Sequence, residues 1–338
     1  MVRSFTLEEK TGGLTLDQAS RVLFAVQGCT DRKWGLPLRT APSAGATYPL
    51  TAYAVVRDVE GVEPGLYRYV STRPLEHGLE LVEEGGSSGA PLTVLLECEP
   101  ERTMGVYGSR GRMYVNEEVG HVIQNAVVEC GVLWLALRAT ARPAKKGVVA
   151  EIDVYPSHPS EYPEPMAGGE MGAEEALVKR RSVRSYAPRA LTMSEVEYVL
   201  SCAVKPPRRA KSYPPMPEYL CNVYLVARDV EGLEPGVYLY ELDSGLEAAR
   251  RGDLSRELAS AALGQEYVRR AQANIVVTSE GDVWRAELEA GMIGQNIYLA
   301  ATAIGLGTVA IGAFYDEKVA DTLGVDERPL YILPLGAL

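Results

Sequence analysis

The chain has little of what metal-binding, disulfide-stapled or nucleic-acid-binding proteins are built from. Its three histidines, His77, His121 and His158, are dispersed and too few for a histidine-rich metal site. Its five cysteines, Cys29, Cys98, Cys130, Cys202 and Cys221, are odd in number and form no CxxC pair. That argues against a disulfide framework and a zinc site, and reads most of them as small buried hydrophobes. There is no Ser/His/Asp constellation, metal box or phosphate-cradling Walker loop. Positive charge is in deficit, with 34 Lys and Arg against 45 Asp and Glu and a net charge of −11. This excludes non-specific nucleic-acid binding, which needs a basic surface. Arginines still cluster at Arg180, Arg181 and Arg184 and at Arg208 and Arg209, enough for a small anion. The opening MVRSFTLEEK has no apolar signal core, and the expected location is cytoplasmic. The longest uncharged run, 297–314, holds a Gly-Leu-Gly turn and reads as a buried helix, turn and strand rather than a membrane span.

What the chain does have is a repeat. Residues 57–69 read RDVEGVEPGLYRY and residues 228–240 read RDVEGLEPGVYLY, 171 positions apart in 338. The same offset pairs Gly120 with Gly291, Gln124 with Gln295 and Asn125 with Asn296. One offset shared by distant segments implies two copies of one domain in tandem. The expected halves are 1–158 and 172–338, joined by a Pro/Gly-rich linker over 159–171.

Each copy repeats a pattern. Thr15 and Thr192 stand as N-caps before amphipathic helices, the first over 16–27. A Pro-containing loop follows in both copies. Two strands come next, joined by an EGxEPG turn in which Gly61 and Gly232 suit positive φ. A weaker helical stretch, a buried strand at 91–97 or 273–280, and a long helix at 117–138 or 287–304 complete the unit. In copy 2 the helix ends at Gly305, and the strand TVAIG, the short helix DEKVADTLG and the closing strand PLYILPL follow. Helices mixed with hairpins give an α+β fold.

Three motifs stand together: Lys179-Arg180-Arg181-Ser182-Val183-Arg184, then Pro42-Ser43-Ala44-Gly45-Ala46-Thr47-Tyr48-Pro49-Leu50, then Gly291-x-x-x-Gln295-Asn296 with Gly305-Leu306-Gly307-Thr308 and Ile311-Gly312-Ala313-Phe314. The set resembles the nitroreductase flavoprotein family, and the PSAG loop followed by the GxEPGxYxY hairpin resembles its SagB-type dehydrogenase branch. The resemblance runs once through each copy. It implies two tandem nitroreductase-like domains with mixed or antiparallel sheets flanked by helices, packed as an intramolecular pseudo-dimer. It implies FMN between them and NADH or NADPH as the electron donor. The acceptor would be a small molecule or, as in the SagB branch, an azoline ring to be dehydrogenated. The family's usual homodimer would be satisfied within one chain, so a monomer is expected, with further oligomerisation left open.

The residues agree with the cofactor. Phosphate needs positive and hydroxyl donors, which Arg180, Arg184 and Ser182 supply. A flat ring needs small residues where backbone comes close, as at Pro42, Ser43, Ala44 and Gly45 and at Gly312 and Ala313. By the resemblance, the 312–313 turn sets a main-chain N–H near flavin N5 and Gln265 is a flavin-facing amide. The copies have lost different parts. The PSAG loop maps onto Tyr213-Pro214-Pro215-Met216 in copy 2, and Gly305-Leu306-Gly307 maps onto Trp134-Leu135-Ala136 in copy 1. Val2-Arg3-Ser4-Phe5 matches Val183-Arg184-Ser185-Tyr186, so copy 1 is expected to lack a partner for Arg180 and Ser182. One composite site is therefore expected. Relatives continue past the closing LPLG with a basic tail; this sequence stops at Leu338.

Arg110, Arg112 and Tyr114 either bind an anionic substrate group or pair with Glu117 and Glu118. Trp284 either shapes the substrate pocket or packs, and His121 reads as a core or interface histidine. No metal site is expected. The competing reading is a flavin-free binding or structural protein derived from such an enzyme.

Overall fold

The computed structural model describes residues 12–85, 88–156, 171–204, 220–281 and 283–338. Most of the 159–171 linker, His158, the Arg208–Arg209 pair, the Val2–Phe5 match and the 213–216 segment lie outside the described residues.

The first half runs α1 (Leu16–Gln27), β1 (Cys29–Lys33), β2 (Leu36–Arg39), β3 (Leu50–Val56), β4 (Gly65–Arg73), β5 (Glu76–Glu84), β6 (Leu92–Cys98), α2 (Glu101–Tyr107), α3 (Gly111–Val132), β7 (Leu135–Ala141) and β8 (Gly147–Pro156). The second runs α4 (Ala173–Lys179), α5 (Met193–Val204), β9 (Cys221–Ala227), β10 (Gly236–Glu241), β11 (Gly245–Arg251), α6 (Ser255–Ala261), α7 (Glu266–Arg270), β12 (Ala273–Ser279), α8 (Val283–Ala303), β13 (Leu306–Thr308), α9 (Asp316–Leu323) and β14 (Arg328–Ala337). Each half forms a six-stranded antiparallel sheet, in the orders β5-β4-β3-β6-β8-β7 and β11-β10-β9-β12-β14-β13. The two sheets are the same sheet built twice, in an α+β fold.

Local chemistry starts these elements. The Thr15 hydroxyl accepts from Gln18 N at 3.2 Å while Gln18 Oε1 accepts from Thr15 N at 3.0 Å, closing a capping box on α1. Thr192 and Glu195 do the same for α5. Gly61 and Gly232 take φ of +74° and +77° in the two hairpin turns, where a side chain would be strained.

The offset has a structural explanation. Strands β3 and β9, and Gly120 and Gly291 on α3 and α8, stand 171 apart, but β6 and β12 stand 181 apart. Helices α6 and α7 lengthen copy 2 before its buried strand. Helix α2 and the turn at 108–110 then lengthen copy 1 after its own, and the offset returns. A last extra element, α9, separates β8 from β14 by 181.

Four expectations change. The helical stretch expected before the buried strand exists only in copy 2. In copy 1 the Glu-rich segment 76–84 is β5, because pairing along β4 satisfies its backbone and outweighs helix propensity. The long helix of copy 1 spans Gly111–Val132 rather than 117–138, since Trp134 takes φ +56° and stops it, as Gly305 (φ +71°) stops the other. The loop after α1 contains the β1–β2 hairpin. The strand expected at TVAIG (308–312) lies earlier, at Leu306–Thr308, and shares only Thr308 with it; a single bridge from Ile311 to Ile332 follows.

Helices α3 and α8 cross where both are glycine. A Cβ on Gly120 would lie 2.0 Å from the carbonyl oxygen of Leu288, and one on Gly291 would lie 2.0 Å from that of Glu117. These contacts are equivalents of one another under the 171 offset. The close approach carries Leu288 and Met292 into the first core, around Val94, Leu96 and Val119. Met113 and Tyr114 join the second, around Leu225, Ile275 and Ile297. The two halves thus share buried apolar surface, the main stabilising contribution to such packing.

Candidate functional site

A cleft of about 750 Å³, part of it open to solvent, lies where the halves meet. Its walls come from the Pro42–Gly45 loop, the end of α2, the start of α3, the Ser182–Arg184 segment, Gln265 and Tyr267, Tyr298 on α8, the 310–313 turn and Tyr331 on β14.

The Pro42–Gly45 loop is strained and heavily tied. Gly45, Ala46 and Tyr48 all have positive φ, at +58°, +54° and +44°. For the alanine and tyrosine this is costly, and it persists only where surrounding bonds over-determine it. Here Ser43 Oγ accepts from Tyr48 N at 2.9 Å, Thr47 Oγ1 donates to Ala44 O at 3.0 Å, and the Thr47 and Thr103 hydroxyls meet at 2.7 Å. A Cβ at Gly45 would sit 2.6 Å from the Tyr107 hydroxyl.

The basic segment lies extended along the edge of the second sheet, with Val183 N bonded to Thr308 O at 2.8 Å. Ser182 faces the cleft and its hydroxyl meets Tyr298 OH at 3.0 Å; that phenol also accepts from Ala310 N at 2.8 Å. Arg184 lines the mouth, exposed, with its guanidinium over the Tyr267 ring at 5.8 Å. Among the described residues it closes no ion pair. Gln265 Nε2 donates to Ala313 O at 3.1 Å and so braces the turn. Gly312 is obligatory for a local reason: a Cβ would fall 2.3 Å from Tyr114 Cε1. Ala313 is not among the residues with positive φ, so its methyl is unstrained.

Nine of the ten residues singled out for a cofactor thus line one cleft: Pro42, Ser43, Ala44, Gly45, Ser182, Arg184, Gln265, Gly312 and Ala313. Arg180 does not. It is buried, donating from Nε to Thr40 O at 2.9 Å and from Nη2 to Arg39 O at 3.0 Å, with its guanidinium over the Tyr298 ring at 5.1 Å. Its geometry is that of a strut between the basic segment and the residues leading into the Pro42–Gly45 loop. Its Nη1 is buried without a partner.

Of the four substrate candidates, Tyr114 lines the cleft. Arg110 pairs with neither Glu117 nor Glu118. It donates from Nε to Gly312 O at 2.7 Å, meets Asp316 at 2.7 Å and lies over Phe314 at 4.6 Å, clamping the turn from outside. Arg112 is exposed and Trp284 sits under Arg285 at 5.5 Å; neither lines the cleft. His121 is a core histidine, bonded to Gln295 Oε1 at 2.9 Å and facing Tyr331 OH at 3.3 Å.

Sequence reasoning missed the tyrosines Tyr107, Tyr267, Tyr298 and Tyr331, and treated Glu117 and Glu118 only as ion-pair partners. All six line the cleft. Tyr298 carried a usable signal, a lone polar ring in the apolar run 297–305. Burial raises the Glu117 carboxyl well above the usual carboxylate range, with repulsion from Glu287 adding to it. Burial likewise raises Glu118 to about 8, against the opposing pull of the Ser43 hydroxyl and the Arg39 charge.

Twin sheets thus meet at a cleft lined by small residues, tyrosines and a basic segment. The nitroreductase family model matches residues 177–337. "Putative nitroreductase MJ1384" of Methanocaldococcus jannaschii is 35% identical over 181 residues, 49% of this chain and 91% of that protein. The chain belongs to the nitroreductase family. The crystal structure of a "putative nitroreductase" from Anabaena variabilis has the same fold over both halves, with a TM-score of 0.77 at 23% identity, covering 95% of this chain and 88% of that one. Among the described residues no helix is long and apolar enough to cross a membrane.

Proposed function

We propose that the cleft binds FMN and that the protein is an FMN-dependent oxidoreductase, taking electrons from NADH or NADPH and passing them to a small-molecule acceptor. The observation that carries this reading is convergence. Residues spread from 42 to 313, contributed by both halves, line a single cleft. The halves act in this reading as a pseudo-dimer of the SagB-type branch, with the composite site between them.

The residues fit the cofactor. In this reading Ser182 and Arg184, which closes no ion pair among the described residues, hold the phosphate. Gly45 takes a positive φ that a side chain would strain, Gly312 has no room for a Cβ beside Tyr114, and Tyr267 and Tyr298 give flat walls. When bound, the flavin supplies the hydride chemistry. The chain's own part is to hold and orient: Gln265 and Arg110 fix the 312–313 turn from two sides, and Arg180 fixes the approach to the Pro42–Gly45 loop.

The test is FMN released per chain after denaturation of protein incubated with excess FMN. About one per chain is expected from a single composite cleft. Two per chain would refute the single site. None would leave the fold standing and replace this reading with a flavin-free binding or structural role. With flavin bound, NADH and NADPH oxidation is assayed with quinone and nitro acceptors, and azoline dehydrogenation is assayed in parallel.

A further inference from the structure

Glu118 and Glu289 are equivalent residues, each two positions before the crossing glycines Gly120 and Gly291. Their surroundings differ. Glu289 is tied into the backbone, accepting from Leu220 N at 3.1 Å and Cys221 N at 3.3 Å at the start of β9. Strands β3 and β9 begin in the same register, Leu50 opposite Cys98 and Cys221 opposite Ser279, so the counterpart of Leu220 is Pro49. Proline has no N–H to give. Glu118 thus lacks the first of the two donors that hold Glu289, and it lines the cleft.

A second carboxyl joins it. Glu117 occupies the position of Leu288, so it too is peculiar to the first half. It is 0% exposed, and among the described residues neither of its oxygens completes a hydrogen bond. Arg110 and Arg328, the cations that face Glu117, are engaged with Asp316 and Glu287. Glu287, Tyr114, Tyr331 and Cys221 complete its charged and titratable surroundings. Around Glu118 stand the Ser43 hydroxyl, Arg39 of β2, Tyr48, Cys98 of β6 and Tyr331. Among the described residues neither carboxyl closes an ion pair. Burial without a compensating cation disfavours the charged form of each.

We propose that Glu117 and Glu118 make the cleft a proton-donating pocket, in which the Glu118 carboxyl hydrogen-bonds an acceptor atom of the bound ligand, a carbonyl oxygen or an unprotonated ring nitrogen. The proposal rests on the reading of the cleft as a flavin site. The acceptor atom belongs to the flavin ring or to the second substrate beside it. Glu117 keeps its own proton through burial and the repulsion of Glu287, and Glu118 keeps its proton through burial. The asymmetry lies in Pro49, which withholds from Glu118 one of the two main-chain donors that tie Glu289 to the start of a strand.

The test is infrared spectroscopy on full-length protein carrying 13C-labelled glutamate. A protonated carboxyl C=O band is expected at pH 7, fading as pH passes about 8. Glu118→Gln removes part of it; Glu289→Gln does not. Adding FMN to flavin-free protein shifts the Glu118 band if the ring is the acceptor. A shift only on adding p-benzoquinone assigns the acceptor to the second substrate. In wild type, affinity for the ligand that shifts the band falls about tenfold per pH unit above that titration, a loss Glu118→Gln abolishes while staying within about threefold of wild type at pH 7. Absence of a Glu118 band at pH 7, or a band that neither FMN nor p-benzoquinone moves, overturns the proposal. Failure of the flavin reading shows separately: no FMN binds, yet the band is present and p-benzoquinone moves it.

Discussion

Gln124 and Asn296 meet across the α3–α8 crossing, with Gln124 Nε2 donating to Asn296 Oδ1 at 2.7 Å. Their counterparts repeat the bond in reverse, Gln295 Nε2 donating to Asn125 Oδ1 at 2.5 Å. The Gln-Asn dipeptide common to both copies is therefore the polar lock between them. Gln124, Asn125 and Gln295 are buried, so an unmatched partner among them bears its full desolvation cost. Gln295→Leu also strips His121 of its acceptor, and it is expected to cost about 1–3 kcal/mol in denaturant unfolding. An unchanged midpoint would show the lock to be dispensable.

The crossing itself depends on two hydrogens. Gly120→Ala and Gly291→Ala each drive a methyl to 2.0 Å from a backbone carbonyl of the facing helix, which only separation of the helices relieves. Each is expected to lower stability by several kcal/mol or abolish soluble expression, at the overpacking end of the usual range of about 1–3 kcal/mol or more. Gly131, on the same helix, has nothing within 4 Å of its added Cβ. Gly131→Ala is expected to be neutral or to stabilise by up to about 1 kcal/mol, measured by the same unfolding curve.

The two arginines of the basic segment should separate cleanly. Arg184→Ala removes an exposed cation at the cleft mouth and leaves the melting temperature unchanged, while weakening FMN binding by roughly 10–100-fold, the worth of one charge-assisted hydrogen bond. Arg180→Ala strips the Thr40 and Arg39 carbonyls of a buried donor and is expected to destabilise the fold by about 1–3 kcal/mol or more. Flavin fluorescence titration beside thermal melts distinguishes them. Equal thermal effects would contradict the different burial of the two side chains.

Two buried groups oppose each other in pH. Glu118 keeps its proton in the folded state up to about 8, against an ordinary 4.5, so the stability it contributes is full below about 4.5 and lost as pH rises toward 8. His121, held neutral by burial with its pKa down at about 3, contributes above about 6.5 and loses that contribution as pH falls. Glu118→Gln is expected to flatten the decline of melting temperature between pH 5 and 8 while leaving the acid limb in place. An identical pH profile for wild type and variant would show that Glu118 titrates alike in the folded and unfolded chain.

Much of the fold was legible because its signals are local. The Thr15 and Thr192 caps, the EGxEPG turns and the buried strands follow from capping, positive φ and apolar runs, and each lies where those rules put it. What misled was also local. The helical stretch expected before the buried strand is absent from copy 1, where segment 76–84 pairs with β4 instead, and Trp134 conceals a left-handed helix stop that Gly305 announces openly. The cleft loop was recognisable as PSAG, but not its strain: nothing in Ala46 or Tyr48 foretells positive φ, which the hydrogen bonds of Ser43 and Thr47 impose.

The sequence by itself determined that the protein is one unit written twice, because a shared offset survives two insertions that cancel in length. It also determined which short motifs differ between the copies. Only the tertiary structure decided what those differences mean. Arg180 and Arg184 are four positions apart, yet the turn of the extended chain buries one against Thr40 and leaves the other at the cleft mouth. Glu118 and Glu289 are the same residue in the same motif, yet a proline before a distant strand withholds from one of them a main-chain donor that helps hold the other. Such roles depend on which backbone donors lie within a few ångströms, and that is fixed by packing between segments far apart in the chain.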